Sequence, residues 1–329
     1  MKVVVFKEKG SLDVLKIEDH ALPDPAGTDV RVKITSIGLN RADSLFRQGL
    51  YFFQPAFPSR VGYEGAGIVD AVGSKVTFLK PGDRVAILPS SFNASHQGCC
   101  AEYGIYPESH LLPTPSSIDD EIAGGIWMQY ITAWDALIED ARIQKGDCVV
   151  IPAASSSVGV AAIQIVNMHG GVSIATTTSP AKMEALSRLG AQHVINIKDG
   201  NYVERVKAIS QGKGARIIFD PVAGPTVKDH IAAAATHGII FIYGLLDRRP
   251  MDIHAGVLMK KQLTLKGYTL MPLFQDLEKL RKVVQSIATG LEQGLLVPII
   301  AKKFKLESFR DAFEYLESNE QIGKIIINP

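Results

Sequence analysis

The order of apolar and polar positions divides this chain into two regions of different texture. Over roughly the first 120 residues, short β-branched runs such as KVVVF and GDRVAIL are separated by turn-forming clusters such as LPDPAG. This pattern predicts a β-rich module at the start of the chain.

From residue 148 onward, short apolar runs alternate with segments of helical spacing, such as PTVKDHIAAAATHG. Strands that alternate with helices of this length indicate βαβ units, a parallel sheet and therefore an α/β fold. The chain ends in an apolar run, GKIIINP, which we expect to return to the first module. Six strands are expected before it, with the sequences CVVIPA, VSIAT, AQHVINI, ARIIFDP, IIFIYGLL and QLTLKGYTL.

Composition and charge narrow the possible classes of function. The 329 residues suffice for about two domains, and 46% of them are hydrophobic, as in an ordinary globular protein. A net charge of +1 gives no reason to expect nucleic acid or a membrane as a partner. Cys99, Cys100 and Cys148 form no disulfide framework, and MKVVVF begins a strand without a signal peptide, so we expect a cytoplasmic protein.

The stretch IPAASSSVGVAA follows the first strand of the alternating region, where a nucleotide-binding fold carries G-x-G-x-x-G. The three glycine positions hold Ala154, Ser156 and Gly159, so the loop stays small and the glycine that lets helix and strand pack closely is kept. The serines either donate to a dinucleotide phosphate at the helix start or act as an N-cap in a purely structural loop.

The end of the next strand distinguishes between the two nicotinamide cofactors. An NAD enzyme places an acid there to bind the ribose diol, but this chain has none between Gly159 and Glu184. Hydroxyls and an ammonium favour the 2′-phosphate of NADP(H) instead. The alternative for the lysine is an ordinary solvated side chain. The residues offered here are Thr176, Thr177, Thr178, Ser179 and Lys182.

With these segments in view, the whole chain resembles the medium-chain dehydrogenase/reductase superfamily, in its zinc-free, zeta-crystallin-like quinone oxidoreductase branch. The resemblance rests on segments in the family's order: GLNRADSLFRQGLY, VGYEGAGIVDAVGSKVTFLKPGDRV, AASSSVGVAAIQI, LGAQHVIN, FDPVAG and IGKIIINP. It implies a GroES-like β-barrel catalytic domain plus a Rossmann doubly wound parallel-sheet domain. The expected spans are 1–122 and 266–329 for the catalytic domain and 123–265 for the Rossmann domain. The resemblance also implies a homodimer formed through an edge strand, expected to be IIFIYG.

The resemblance allows the zinc positions of the superfamily to be compared. The places of the zinc ligands hold Asn40, Tyr63 and either Gln129 or Tyr130. An amide and a phenol do not supply the thiolate and imidazole ligands of such a site. We therefore expect no metal, and hydride transfer to a quinone or to the C=C of an enone or enoyl group.

Site residues carried over from the family are expectations of the same kind. Tyr51 either protonates or binds the acceptor or only lines an apolar pocket, and Asn40 is expected near nicotinamide and substrate. Tyr63, Phe53 and Gln129 are expected to line the substrate pocket. One departure is Ile197, which stands where many relatives have a tyrosine near the 2′-phosphate. The residues expected to bind NADP(H) are Thr132, Ala154, Ser155, Ser156, Ser157, Val158, Gly159, Thr177, Thr178, Lys182, Val222, Ala223, Tyr243, Gly244 and Leu245.

The sequence therefore predicts an NADP(H)-dependent, zinc-independent oxidoreductase that acts on a small conjugated carbonyl compound. A non-catalytic NADPH-binding protein is the alternative from another class. A zinc-type alcohol dehydrogenase is disfavoured by the missing ligands.

Overall fold

The structure, a computed structural model, describes residues 1–88 and 93–329. These residues form two units, one of residues 1–129 and 297–329, the other of residues 130–296. The expected boundaries after residues 122 and 265 therefore differ from the observed ones. Residues 266–296 belong to the second unit because Asp135 there accepts a hydrogen bond from the Tyr268 hydroxyl at 2.8 Å and pairs with Lys279 at 2.5 Å.

The strands follow the predicted division into a β-rich start and an alternating middle. In chain order they are β1 (Lys2–Phe6), β2 (Lys16–Asp19), β3 (Asp29–Leu39), β4 (Ser59–Arg60), β5 (Gly65–Val72), β6 (Arg84–Ile87), β7 (Tyr103–Pro107), β8 (Leu111–Pro113), β9 (Cys148–Ile151), β10 (Val172–Thr177), β11 (His193–Asn196), β12 (Ala215–Asp220), β13 (Ala234–Ile242), β14 (Thr264–Gly267), β15 (Ile300–Lys305) and β16 (Lys324–Asn328).

Most helices belong to the second unit, as expected for βαβ connections. They are α1 (Arg41–Arg47), α2 (Ala94–Gln97), α3 (Trp127–Trp134), α4 (Ser157–Met168), α5 (Met183–Arg188), α6 (Tyr202–Ile209), α7 (Val227–Ala233), α8 (Ala255–Lys261), α9 (Met271–Gln275), α10 (Leu277–Glu292) and α11 (Phe309–Ser318). A π-helical turn, Asp135–Asp140, follows α3. No helix among the described residues is both long and apolar enough to cross a membrane.

The first unit is built on a seven-stranded sheet of order β15-β16-β3-β5-β6-β8, in which β7 also pairs with β3. A separate three-stranded sheet has the order β2-β1-β4. The predicted return of the tail is confirmed, because β16 pairs antiparallel with β3 and sets Ile325 opposite Leu39. Inward-facing residues of β3, β5 and β16, including Val32, Val69 and Ile327, form a fully or almost fully buried core.

The second unit contains the predicted parallel sheet, with six strands in the order β11-β10-β9-β12-β13-β14. Every neighbouring pair is parallel. The strand order reverses between β9 and β12, which is the doubly wound arrangement of dinucleotide-binding domains. In such sheets ligands bind beyond the carboxyl ends of the strands at the reversal. The loop AASSSVG leaves β9 at that place.

Two details of the expected second unit are wrong. IIFIYG is not an edge strand, because β13 pairs with β12 on one side and β14 on the other. The segment PTVKDHIAAAATHG is helical only to Ala233. There the Lys261 ammonium donates to the carbonyl oxygens of Ile231, Ala232 and Ala234, which satisfies the helix end and lets β13 begin.

Candidate functional site

The loop between β9 and α4, called the serine loop below, holds the serines that the sequence assigns to the cofactor. Ser156 is the N-cap of α4, and its hydroxyl accepts a hydrogen bond from the Gly159 amide at 3.1 Å. Ser156 therefore acts as the helix N-cap, which is one of the two roles that the sequence predicts for the serines of this loop. A Cβ at Gly159 would lie 2.7 Å from the Cα of buried Ala154, so the helix can start this close to β9 only with glycine.

Ser155, in the same loop, contacts Lys182, which lies beyond the end of β10. The Lys182 Nζ donates to the Ser155 hydroxyl at 3.0 Å. The two loops meet because β9 and β10 are neighbouring parallel strands. The Thr177 hydroxyl accepts a hydrogen bond from the Ser179 amide at 3.0 Å, and Thr178 is exposed. A hydroxyl and an ammonium thus come together at the carboxyl edge of the sheet.

The turn after β12, which includes Val222 and Ala223, is held by the buried carboxylate of Asp220. This carboxylate accepts hydrogen bonds from the Val222 amide at 2.7 Å and the Ala223 amide at 3.0 Å. Ala223 has a φ of 60°, a left-handed conformation that costs a non-glycine residue on the order of 1 kcal/mol. Behind the carboxylate, His230 Nε2 lies 3.5 Å from Asp220, and His230 Nδ1 lies 2.9 Å from the Tyr202 hydroxyl.

The loop after β13 packs directly against that turn. A Cβ at Gly244 would lie 2.6 Å from the Pro221 carbonyl oxygen, so a larger residue would push the loops apart. Tyr243 stacks on Phe219 with ring centroids 4.0 Å apart, and burial raises the pKa of its phenol. Leu245 is 44% exposed. Of the expected cofactor residues, Val222, Ala223 and Gly244 are therefore brought together.

Two further expected residues, Gln129 and Thr132, lie on α3, and both are buried.

In the first unit, Asn40 stands at the N-terminus of α1 inside a buried polar network. Its Oδ1 accepts a hydrogen bond from the Lys324 Nζ at 2.7 Å, and its Nδ2 donates to Glu64 Oε2 at 3.1 Å. Lys324 and Glu64 also pair directly at 2.6 Å. The side chains of this ion pair are 0% and 1% exposed, so the charges compensate each other out of contact with water.

Asp43, on the first turn of α1, links two of the expected site residues. Its carboxylate accepts a hydrogen bond from the Asn40 backbone amide at 2.7 Å and from the Tyr63 backbone amide at 2.9 Å. Burial raises the pKa of Asp43 to about 7, against the opposing effect of these two donors and of the Lys324 charge. Asp43 therefore fixes the backbone of both residues and changes its charge near neutral pH.

Aromatic side chains gather beside this network. The Tyr51 ring lies 5.4 Å from the Tyr63 ring and 6.2 Å from the Phe53 ring, and Phe46 packs edge-on to Tyr63 at 5.6 Å. Tyr63 is buried, whereas Phe53 is 47% exposed. Burial and the nearby Asp43 raise the pKa of Tyr51 to about 12. Within residues 1–88 and 93–329, the Tyr51 hydroxyl makes no hydrogen bond.

Comparison with known proteins identifies the group to which this molecule belongs. Residues 26–139 match the model for the alcohol dehydrogenase GroES-like domain, and residues 157–287 match the model for zinc-binding dehydrogenases. Quinone oxidoreductase of Sus scrofa is 30% identical over 325 residues, which cover 98% of this chain and 96% of that protein. The chain belongs to the medium-chain dehydrogenase/reductase superfamily. The predicted membership is confirmed, and the chain is an oxidoreductase.

Solved structures of this superfamily share the whole fold. An Escherichia coli quinone oxidoreductase complexed with NADPH has a TM-score of 0.90 and 26% identity, with 100% of both chains covered. A structure described as an NAD-dependent alcohol dehydrogenase has a TM-score of 0.90 and 29% identity, again with 100% of both chains covered. The predicted GroES-like and Rossmann domains are thereby confirmed, while the two relatives differ in the cofactor and substrate that they name.

One matching family model is named for zinc, so the fit of this chain to zinc matters. The positions expected for the ligands hold Asn40, Tyr63 and Gln129 or Tyr130, and the Asn40 amide is already engaged by Lys324 and Glu64. Amides and phenols do not provide the thiolate and imidazole that a tetrahedral zinc site needs. Among the described residues, no group of three or more His, Cys, Asp or Glu could hold a metal ion. This donor set does not fit zinc.

Four residues around the site were missed from the sequence. Asp43, Glu64 and Lys324 lie in segments that carried the family resemblance, and Asp220 is the second residue of FDPVAG. A charged residue in an otherwise apolar strand, such as Lys324 in GKIIINP, is the signal that could have found them, because buried charges are seldom unpaired.

Proposed function

We propose that this chain is an NADP(H)-dependent oxidoreductase that transfers hydride to a quinone or an α,β-unsaturated carbonyl compound without zinc. The contact of Lys182 with Ser155 at the carboxyl edge of the sheet is the observation that carries the proposal most directly. The resemblance to quinone oxidoreductases supports the class of acceptor.

The second unit has the chemistry for a dinucleotide with a 2′-phosphate. The first free amides of α4 and the serine loop favour a phosphate group at the helix start. The Lys182 ammonium beyond β10 and the Ser155 hydroxyl that it contacts favour a second phosphate. No carboxylate is present among residues 176–182 to bind a ribose diol in its place. These features favour NADP(H) over NAD(H).

The remaining assignments in the second unit follow the family. Ser157, Val158 and Gly159 would contact the pyrophosphate with the serine loop, and Thr177, Thr178, Val222 and Ala223 would contact the adenosine ribose. Thr132, Tyr243, Gly244 and Leu245 would hold the nicotinamide.

In the first unit, Tyr51 is assigned to the acceptor. The reduced nicotinamide, when bound, supplies a hydride, and negative charge then develops on the acceptor's carbonyl oxygen. A preorganised donor stabilises that charge. The Tyr51 hydroxyl is such a donor, and its pKa of about 12 keeps the phenol protonated. We therefore assign it hydrogen bonding rather than full proton transfer. Tyr63, Phe53 and Gln129 would line an apolar pocket for the acceptor.

Turnover with purified protein tests this proposal. We expect loss of NADPH absorbance with naphthoquinone or an enone, activity that survives dialysis against a zinc chelator, and no stoichiometric zinc by elemental analysis. Tyr51→Phe should lower kcat roughly 10- to 100-fold without changing NADPH affinity, because it removes one donor to the developing charge. Tyr315→Phe, a phenol on α11, serves as the matched control.

Other outcomes have definite meanings. NADPH binding without turnover of any conjugated acceptor would contradict the proposal and favour a non-catalytic NADPH-binding protein. Stoichiometric zinc that is needed for activity would favour a zinc-type alcohol dehydrogenase.

A further inference from the structure

The Asn40 amide is fully engaged on its donor side by buried groups of the first unit. Its Nδ2 donates to the Gly38 carbonyl oxygen and to Glu64 Oε2, both at 3.1 Å. An amide nitrogen has two hydrogens, so both are used. The second carboxylate oxygen of Glu64 accepts from the Met128 amide at 2.9 Å, which anchors the carboxylate independently of Asn40.

Lys324 determines which way round the Asn40 amide lies. The ammonium can only donate and the Glu64 carboxylate can only accept, so the amide oxygen must face Lys324 and the nitrogen must face Glu64. A flipped amide would set NH₂ against the ammonium and oxygen against the carboxylate. From this network we infer that Lys324 and Glu64 are positioning residues that hold Asn40 as a hydrogen-bond acceptor for the bound cofactor or substrate.

Lys324 and Glu64 occupy space that side chains at two neighbouring glycine positions would otherwise fill. A Cβ at Gly38 would lie 2.6 Å from the Lys324 Cε and 2.9 Å from Glu64 Oε2. A Cβ at Gly125 would lie 2.8 Å from the Lys324 Cγ. The lysine therefore fits only because glycines leave room on both sides. Buried ion pairs are rarely more stabilising than apolar residues of the same size, so an orienting role accounts for the pair better than stability does.

This orientation, whose role rests on the proposed function, limits the hydrogen bonds that Asn40 can make to a bound molecule. With both hydrogens engaged, the side chain retains one lone pair on Oδ1. It can therefore accept an N–H or O–H, such as that of a carboxamide or an enol, but it cannot donate to a developing oxyanion. The donor to that oxyanion must come from another residue, in agreement with the assignment of Tyr51.

A charge-neutral double variant separates orientation from stability. Lys324→Met and Glu64→Gln alone each leave one buried charge unpaired, so we expect both to lower the melting temperature. Combining them removes both charges and should restore most of the melting temperature, whereas kcat should stay roughly 10- to 100-fold low because Asn40 is no longer held. Lys303, on neighbouring β15, forms an exposed ion pair with Glu121, and Lys303→Met should leave kcat unchanged.

Non-additivity and direct observation complete the test. In an Asn40→Ala background, the double change should have little further effect on kcat, as expected for residues that act through one another. A crystal structure of the double variant should show the Asn40 amide rotated or in several orientations. Wild-type kcat in the double variant, additive losses, or an unchanged Asn40 orientation would each overturn the inference.

A measurement on the unaltered protein covers the case in which the variants do not fold. The two Asn40 side-chain amide protons, assigned by NMR with Asn40→Ala, should exchange with solvent far more slowly than those of an exposed asparagine. Rapid exchange would overturn the inference. If wild-type protein reduces no acceptor but the Asn40 protons are protected and the amide turns in the double variant, the proposed function fails and the positioning role stands.

Discussion

Asp43 shows how one buried residue couples the site to pH. Burial raises the pKa of its carboxyl from 3.8 to about 7, so the folded protein binds this proton more tightly than the unfolded chain does. The contribution to the free energy of unfolding is therefore full below about pH 4 and is lost as pH rises through about 7. A shift of this size corresponds to at most about 4 kcal/mol.

We predict that Asp43→Asn removes this pH dependence. Wild type should lose stability relative to the variant as pH rises from about 4 to 7, by up to about 4 kcal/mol, measured by urea denaturation at each pH. An NH₂ group would also face one of the two backbone amides, so the variant should be less stable by about 1–3 kcal/mol at low pH. Asp24→Asn changes a side chain that is 96% exposed and is the control. A difference that does not vary with pH would contradict the assignment.

Lys182 is a second single residue with a testable role, because we expect it to favour binding of NADPH over NADH. Lys182→Ala removes a charge-assisted hydrogen bond to a 2′-phosphate, which is worth a factor of roughly 10 to 100 in affinity. We expect the Kd for NADPH to rise by that factor and the Kd for NADH to change little. Fluorescence titration measures both constants, and Lys282→Ala, which changes an exposed lysine on α10 of the same unit, is the control. Equal weakening of both cofactors would place Lys182 away from the 2′-phosphate.

At the scale of elements, the start of α4 depends on close packing against the end of β9. The atoms that a Cβ at Gly159 would meet are backbone atoms of Ala154, which cannot rotate away as a side chain can. The serine loop and the first amides of α4 are consequently held in one arrangement. Close approach of helix and strand is the task for which a dinucleotide fold keeps this glycine.

We therefore predict that Gly159→Ala destabilises the second unit by about 1–3 kcal/mol, the usual effect of overpacking. Because α4 must shift, NADPH binding should weaken as well. Gly267→Ala on β14 is the control, since a Cβ there meets nothing within 4 Å. Thermal denaturation and NADPH titration check both variants. Unchanged melting and binding would show that the loop adapts freely.

At the scale of the whole molecule, the two units differ in how the chain builds them. The second unit is one continuous segment with its own buried core, which includes Val150, Ile174 and Ile218. The first unit needs both ends of the chain, because β16 pairs with β3 and brings Lys324 to Asn40.

We predict that a fragment of residues 130–296 folds cooperatively and binds NADPH but reduces no acceptor. Residues 1–129 alone should not fold, because β3 would expose the edge that β16 covers. Circular dichroism during heating and NADPH titration test both fragments. A fragment 130–296 that melts without a cooperative transition would show that its core depends on the rest of the chain.

Local patterns determined the order of strands and helices, the parallel sheet, the small-residue loop before α4 and the absence of an acid after β10. Each depends on residues close in sequence, where periodicity and side-chain chemistry act directly. The ends of helices and strands, such as the change from α7 to β13 at Ala234, could not be predicted from local patterns. They depend on a distant side chain, Lys261.

Only the tertiary structure decided which distant groups meet. Lys182 contacts Ser155 because β9 and β10 are neighbours, and Lys324 reaches Asn40 and Glu64 because the last strand pairs with β3. A sequence shows that these side chains are charged or polar, but it does not show which residues pair with them. Long-range pairing and burial bring partners together and set their orientation and pKa values. For this reason the sequence alone supports a prediction of the cofactor class, whereas the contacts of Asn40 with Lys324 and Glu64 required the tertiary structure.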